Sequence, residues 1–140
     1  HQERVDGVRP QVQVEDGVRW VHADREHLRR LLELLVGQAA WRSRPGAAVN
    51  VGVRYRQDQV WLEVCDEAEL IAEAELPHLF ERVYVESHDR FGPTGLELPM
   101  AKAIVDRNGG QIWVRRNGET GNAFAVSFPP LEMKKLGAEG

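Results

Sequence analysis

Apolar residues recur from Leu28 onward with the spacing of a buried helical stripe. Leu28, Leu31, Leu32, Leu35, Val36 and Ala39 fall at i, i+3, i+4, i+7, i+8 and i+11, which predicts an amphipathic helix over about 24–43. Asp24 stands where an N-cap belongs, Glu26 sits in the first turn, and Arg44-Pro45-Gly46 ends the helix. Elsewhere the period is two. Val12 and Val14 alternate with polar residues, Asp16-Gly17 makes a turn, and Val18, Trp20 and Val21 follow as the second arm of a small hairpin. A second hairpin joins Val49, Val51, Val53 and Tyr55 to Val60, Leu62 and Val64 through Gln57-Asp58, with one face buried.

Residues 67–94 hold little periodicity beyond a short helical piece near Glu75–Glu81, and so long an irregular stretch is usually functional or mobile. A further helix is expected over about 96–108, capped by Asn108-Gly109-Gly110, with Met100, Ala101, Ile104 and Val105 as its core face. Ile112-Trp113-Val114, an Asn117-Gly118 turn and Phe124–Phe128 make a last hairpin, which Pro129-Pro130 stops. The order is ββ, α, ββ, irregular loop, α, ββ. Hairpin-linked strands with two helices imply an α/β two-layer sandwich, with a mixed, mostly antiparallel sheet and the helices on one face. Residues 12–129 are expected to form the domain, 1–11 a leader and 130–140 a flexible tail. The four tryptophans, Trp20, Trp41, Trp61 and Trp113, are expected to serve the core, with Trp41 placed to plug a cleft or mark a contact surface.

Composition narrows the class of partner. The 140 residues suit one domain, and 42% hydrophobic with 29% charged residues is a globular balance. Eighteen basic against 22 acidic residues give a net charge of -4, with no electrostatic drive toward nucleic acid or anionic lipid. The single Cys65 has no internal disulfide partner and fits a reducing cytoplasm. No apolar run approaches a membrane span, and His1-Gln2-Glu3-Arg4 has no signal-peptide character. That start fits a domain excised from a longer protein. His22, His27 and Cys65 lack zinc-site spacing, and neither a phosphate-binding G-x-x-x-x-G-K-[ST] loop nor a nucleophile motif occurs.

Four blocks carry candidate chemistry. They are the helix Asp24–Ser43, Cys65-Asp66-Glu67-Ala68-Glu69-Leu70-Ile71, Leu79-Phe80-Glu81-Arg82-Val83-Tyr84, and Gly92-Pro93-Thr94-Gly95-Leu96-Glu97-Leu98-Pro99. In this order, and followed by Ala101–Gly110, they resemble the GHKL ATPases, and within them the ATP-binding catalytic domain of histidine kinases. The likeness runs from about Val12 to Pro129. It implies that the first helix is the N-box, where two Asn residues four apart face the nucleotide and the second supplies an oxygen to Mg²⁺. Here those positions hold Leu34 and Gln38. Both lie off the core stripe on one face, and both are expected to look into the cleft. Gln38 is the one candidate Mg²⁺ ligand. Trp41 takes the place of a basic residue, with Arg42 beside it.

The resemblance further implies that Asp66 accepts a hydrogen bond from the adenine amino group, with Ile71 closing its box. Phe80, Arg82 and Tyr84 match the F-box, and Phe80 is expected to pack under the ATP lid. Thr94, Gly95 and Leu96 belong to the glycine box, which presents backbone N–H groups to the phosphates at a helix N-terminus. His78 is expected at the surface, because the family's phosphorylated His lies on a separate helical domain.

The departures concentrate on ligand-facing positions. Ala68 and Leu70 replace glycines in the Asp66 box, Glu97 replaces a glycine, and Pro99 replaces an alanine and contributes no N–H donor. A carboxylate about 5 Å from a phosphate charge costs on the order of 3 kcal/mol at an effective dielectric of about 20. Its gain from the helix dipole is only about 0.3–1 kcal/mol. The sequence therefore suggests a sensor-kinase domain with weakened or lost ATP binding that acts by docking. The alternatives are an active ATP- and Mg²⁺-dependent autokinase domain and a stand-alone regulator such as an anti-sigma factor. The implied partners are a helical dimerisation and phosphoacceptor domain and a response regulator, in the cytoplasm.

Overall fold

The computed structural model describes residues 9–14, 25–81 and 92–129. Strand β1 (Arg9–Val14) is followed by helix α1 (Arg25–Arg42) and the hairpin strands β2 (Ala48–Arg56) and β3 (Gln59–Cys65). A single 3₁₀ turn (Leu76–His78) precedes helix α2 (Glu97–Arg107), and strands β4 (Gln111–Arg116) and β5 (Asn122–Phe128) close the domain. Among the described residues the five strands form one sheet in the order β1-β2-β3-β5-β4. β1 pairs parallel to β2, and the remaining pairs are antiparallel.

The period-two pattern produces the core. Val51, Val64, Phe124 and Val114 stand in register across four strands, and Val53, Leu62, Val126 and Ile112 make the next such row. Both rows face the helices, because they share one cluster with Leu31, Leu35 and Ala39 of α1 and Leu98, Ala101 and Val105 of α2. Each such side chain, fully buried, contributes about 1.5–3 kcal/mol. The two helices thus cover one face of the sheet in two layers, as the alternation implies.

The opposite face is built from the other set of residues. There Gly52, Glu63, Ala125 and Trp113 stand in one row, and Arg54, Trp61, Ser127 and Gln111 in the next. Trp61 and Trp113 meet edge to face with ring centroids 5.1 Å apart. Glu63 is buried between two guanidinium groups, with Arg115 Nη2 at 2.5 Å and Arg54 on its other oxygen. That pairing offsets the cost of burying the carboxylate.

Several expectations change. The arm at Val12–Val14 pairs in parallel with β2, Val12 opposite Val51, and the proposed second arm lies outside the described residues. Two parallel neighbours need a crossover connection, and α1 lies within it. Among the described residues the tryptophans do not fill the helix-side core. Trp41 is exposed, Trp61 and Trp113 sit half-buried on the far sheet face, and Trp20 lies outside the described residues. Met100, expected on the core face of α2, is 40% exposed. Among the described residues no helix is long and apolar enough to cross a membrane.

The β2–β3 turn holds a local conflict. Gln57 and Asp58 both adopt positive φ, 53° and 60°, in a two-residue turn whose geometry favours Asn-Gly. Left-handed conformations cost an ordinary L-residue roughly 1–2 kcal/mol. The pair Gln57→Asn with Asp58→Gly is expected to raise stability by about 1 kcal/mol. Urea denaturation of the double variant checks this, and an unchanged or lowered midpoint counts against the strain.

Candidate functional site

Strand β3 ends at Cys65, and the chain then turns sharply around the carboxylate of Asp66, which is 1% exposed. A buried carboxylate is tolerated only when hydrogen bonds replace its hydration. Asp66 Oδ1 accepts three, from the backbone N–H of Ala68 at 3.0 Å, the backbone N–H of Asn122 at 2.9 Å and Asn122 Nδ2 at 3.1 Å. Asp66 Oδ2 has no hydrogen-bond partner among the described residues. It is therefore an acceptor still able to take a donor.

Asn122 does more than meet Asp66. Its Nδ2 also donates to the Glu69 carbonyl at 3.1 Å, and its Oδ1 accepts from the Ile71 N–H at 3.0 Å. The loop 66–71 is thereby stitched to the start of β5. Ile71 itself is buried and packs into the core cluster. Gly121, at φ +92°, lets the strands approach, and a Cβ there would overlap the Asp66 carbonyl oxygen. Sequence reasoning missed both Gly121 and Asn122. The available signal was a glycine directly before a polar residue at a strand start, which is weak without a structure.

Helix α1 supplies the second wall. Gln38 is fully buried, and neither Oε1 nor Nε2 has a partner among the described residues. Leu34, one turn earlier, does not stand off the core stripe as expected. It is 4% exposed and belongs to the hydrophobic cluster, so it turns an apolar side chain inward where a ligand-facing group was anticipated. Arg42, one turn after Gln38, donates through Nη2 to the Glu69 carbonyl at 2.7 Å. Burial pushes the Arg42 guanidinium below its ordinary value, opposed by the charges of Asp66, Glu69 and Glu75. Burial also raises the Cys65 thiol, a poor environment for a nucleophile.

The third wall is the glycine segment before α2. Gly95 adopts φ +84°, and the segment folds around the side chain of Glu97, which is 8% exposed. Glu97 Oε2 accepts from the Thr94 N–H at 3.1 Å and from Thr94 Oγ1 at 2.8 Å, and Oε1 accepts from the Gly95 N–H at 3.2 Å. Thr94 Oγ1 in turn accepts from the Leu96 N–H at 3.1 Å. A Cβ on buried Gly92 would overlap the Glu97 carboxyl group and crowd Gln38 Cβ. Gln38, Gly92 and Glu97 are therefore neighbours. Of the backbone donors expected to serve a phosphate, those of Thr94 and Gly95 are used by this carboxylate and that of Leu96 by the Thr94 hydroxyl.

Phe80 is half-buried against the core and lines an apolar groove of about 310 Å³ with Leu96, Pro99, Met100 and Ala103. The structure thus brings Gln38 together with the Thr94–Glu97 segment, and Phe80 together with Leu96. Arg82 and Tyr84 lie outside the described residues. His78 is 43% exposed in its side chain, with Nδ1 2.9 Å from Glu81 Oε1.

The site combines a buried carboxylate at a strand end, a polar helix face and a glycine segment opening a second helix, on a sheet covered by two helices. The family model of histidine kinase-, DNA gyrase B- and HSP90-like ATPases matches residues 23–132. The chain belongs to this family, as an ATP-binding domain of the sensor histidine kinase kind. It is 35% identical over 111 residues to the sensor histidine kinase YkoH of Bacillus subtilis, covering 77% of this chain and 24% of that protein. It is 33% identical over 122 residues to the sensor protein SphS of Synechococcus elongatus, covering 81% and 30%. The mycobacterial sensor histidine kinase MprB superposes with a TM-score of 0.73 at 25% identity, over 91% of this chain and 85% of that one. The chain spans under a third of the length of these curated relatives.

Removing the stitch tests its weight. Asn122→Ala leaves the Ile71 N–H without its partner and takes one donor each from Asp66 Oδ1 and from the Glu69 carbonyl, which keeps Arg42. Loss of about 1–2 kcal/mol is expected, since one buried group left unsatisfied costs about 1–3 kcal/mol and water relieves part of it. Chemical denaturation measures the loss, and hydrogen exchange at the Ile71 amide should accelerate with it. A loss under about 0.5 kcal/mol would show that the loop is held by other contacts.

Proposed function

We propose that this domain binds Mg-ATP weakly or not at all and works by docking on other components of a two-component signalling system. The observation that carries the reading is the Glu97 carboxylate seated on the Thr94 and Gly95 N–H groups. A nucleotide phosphate in that place would have to displace it, and would then lie near a buried negative charge. At a separation of about 5 Å the repulsion is on the order of 3 kcal/mol for an effective dielectric of about 20.

The fit to the expected ligands is uneven. The adenine side suits a nucleotide, since Asp66 Oδ2 is a buried acceptor without a partner. The phosphate side does not, because its donors are taken. For Mg²⁺, Leu34 offers no oxygen and Gln38 offers one amide oxygen from a fully buried position. Phosphoryl transfer depends on positioning and charge neutralisation at the phosphates. No transfer step is therefore assigned to these residues. The proposed partners are a helical dimerisation and phosphoacceptor domain and a response regulator, in the cytoplasm. Their chemistry follows from the sensor kinases that the chain resembles.

An active autokinase domain is the second reading, favoured by the intact cradle around Asp66. A stand-alone regulator has less support, since the relatives named above are sensor proteins. Calorimetry with ATP and Mg²⁺ separates the first two. No saturation below millimolar ATP is expected, and a micromolar Kd would overturn the proposal. Glu97→Gly combined with Leu70→Gly is expected to tighten ATP binding by tenfold or more. An unchanged affinity in a variant that folds would remove the repulsion argument.

A further inference from the structure

We propose that the sheet face turned away from the helices carries a binding site for a neutral saccharide, in a pocket between Trp61 and Trp113. The proposal is independent of how the nucleotide cleft is read, since Gln38 and Glu97 belong to the helices on the other face.

The pocket follows from side-chain size along one row of the ladder. Ser127 stands directly between Trp61 of β3 and Gln111 of β4, and Trp113 follows two residues along β4 on the same face. A small residue flanked by large ones leaves a hollow of about 460 Å³, which Gln57 and Gln59 also line. That volume lies within the roughly 300–1,000 Å³ usual for small-molecule sites. The two indoles meet edge to face with centroids 5.1 Å apart, so the ring that offers its edge keeps both of its own faces clear of the other. Trp61 is fixed by its Nε1, which donates to the Arg56 carbonyl at 2.9 Å. The aromatic walls are therefore set before any ligand arrives.

The lining selects by charge and by hydrogen-bonding type. It contains no ionisable side chain. On the same face the Arg54 and Arg115 guanidinium groups both bind Glu63, and two cations on one carboxylate leave a net positive charge. A cationic ligand, otherwise suited to indole faces, is therefore repelled. An anion finds no charged partner in the pocket. Each glutamine amide offers both donors and an acceptor, as the Ser127 hydroxyl does. The amides of Gln57, Gln59 and Gln111 make no hydrogen bond among the described residues, which leaves them available to a ligand. A polyproline segment presents carbonyl acceptors alone and would leave the amide oxygens unmatched. Sugar hydroxyls both donate and accept, and the axial C–H bonds of β-linked glucose form flat apolar faces that suit an indole. A disaccharide of that kind meets the whole lining.

Titration of the isotope-labelled chain with cellobiose, choline and decaproline, read at the indole N–H resonances, tests this directly. The Trp61 and Trp113 signals, assigned through Trp61→Phe and Trp113→Phe, are expected to shift saturably with cellobiose at millimolar concentration. The signal of Trp41, on α1, is expected to stay in place. Gln111→Ala, at an exposed position, should weaken cellobiose by threefold or more with the thermal unfolding midpoint unchanged. No saturable shift at tens of millimolar cellobiose would overturn the proposal. Choline or decaproline binding at least as tightly as cellobiose would overturn it too, and so would an unaltered cellobiose affinity in Gln111→Ala. The wild-type titration stands without any variant.

Discussion

The domain depends on one buried contact, the Asp66 carboxylate against Asn122. Oδ1 collects three N–H donors, two of them from Asn122, and the Asp66 N–H returns a bond of 2.9 Å to the Asn122 carbonyl. Hydrogen bonds to a charged group contribute about 1.5–3 kcal/mol each, more than the usual neutral bond. This set joins the end of β3 to the beginning of β5. It also fixes the loop that Arg42 holds from the side of α1. Without that anchor the loop has no ladder of its own, since no strand or α-helix is described between Cys65 and the 3₁₀ turn at Leu76. The anchor in turn requires Gly121, because only a residue without Cβ passes so close to the Asp66 carbonyl.

Glu97 is the anion seated at the other end of the site in this structure. From sequence, two terms compete: repulsion of a phosphate, on the order of 3 kcal/mol at about 5 Å, and a helix-dipole gain of about 0.3–1 kcal/mol. The structure supplies a third and more direct term. The carboxylate accepts from the Thr94 N–H, the Thr94 hydroxyl and the Gly95 N–H, while remaining only 8% exposed. These donors serve one negative group at a time. The glycine segment is therefore ordered by its own chain, and Gly92 and Gly95 make room for an internal anion as they would for an external one.

Periodic elements were legible in the sequence, and contacts between distant residues were not. The α1 stripe placed the helix within one residue at each end, and alternation placed β2, β3 and β5 correctly. Hydrophobic period depends on local burial, which is why these elements could be read. The parallel partner of β1 could not, because strand pairing is set by the sheet and an Asp16-Gly17 turn suggested a local hairpin instead. Leu34 was misplaced because a position expected to face ligand was filled by leucine, and leucine follows the core wherever it can reach it. Asn122 escaped because its partner lies 56 residues away and a lone asparagine near a turn has many ordinary explanations. In the candidate site, residue types could be read, whereas the donors each would use could not.

The scaffold accepts these changes because its packing face and its ligand face use different residues. Leu31, Leu35 and Ala39 bind α1 to the sheet whether or not Gln38 finds a partner. Leu98, Ala101 and Val105 do the same for α2 whatever anion sits at its start. Substitution on the ligand face therefore leaves the hydrophobic term nearly intact, and Leu34 adds to it by joining the cluster. What such substitution cannot spare is the Asp66–Asn122 stitch, which lies on both faces at once. Asp66 Oδ1 holds the fold together while Oδ2 is left open to a ligand. Removing that aspartate would release the loop 66–71 from the start of β5 whether or not a phosphate binds, while the β3–β5 ladder itself stays paired.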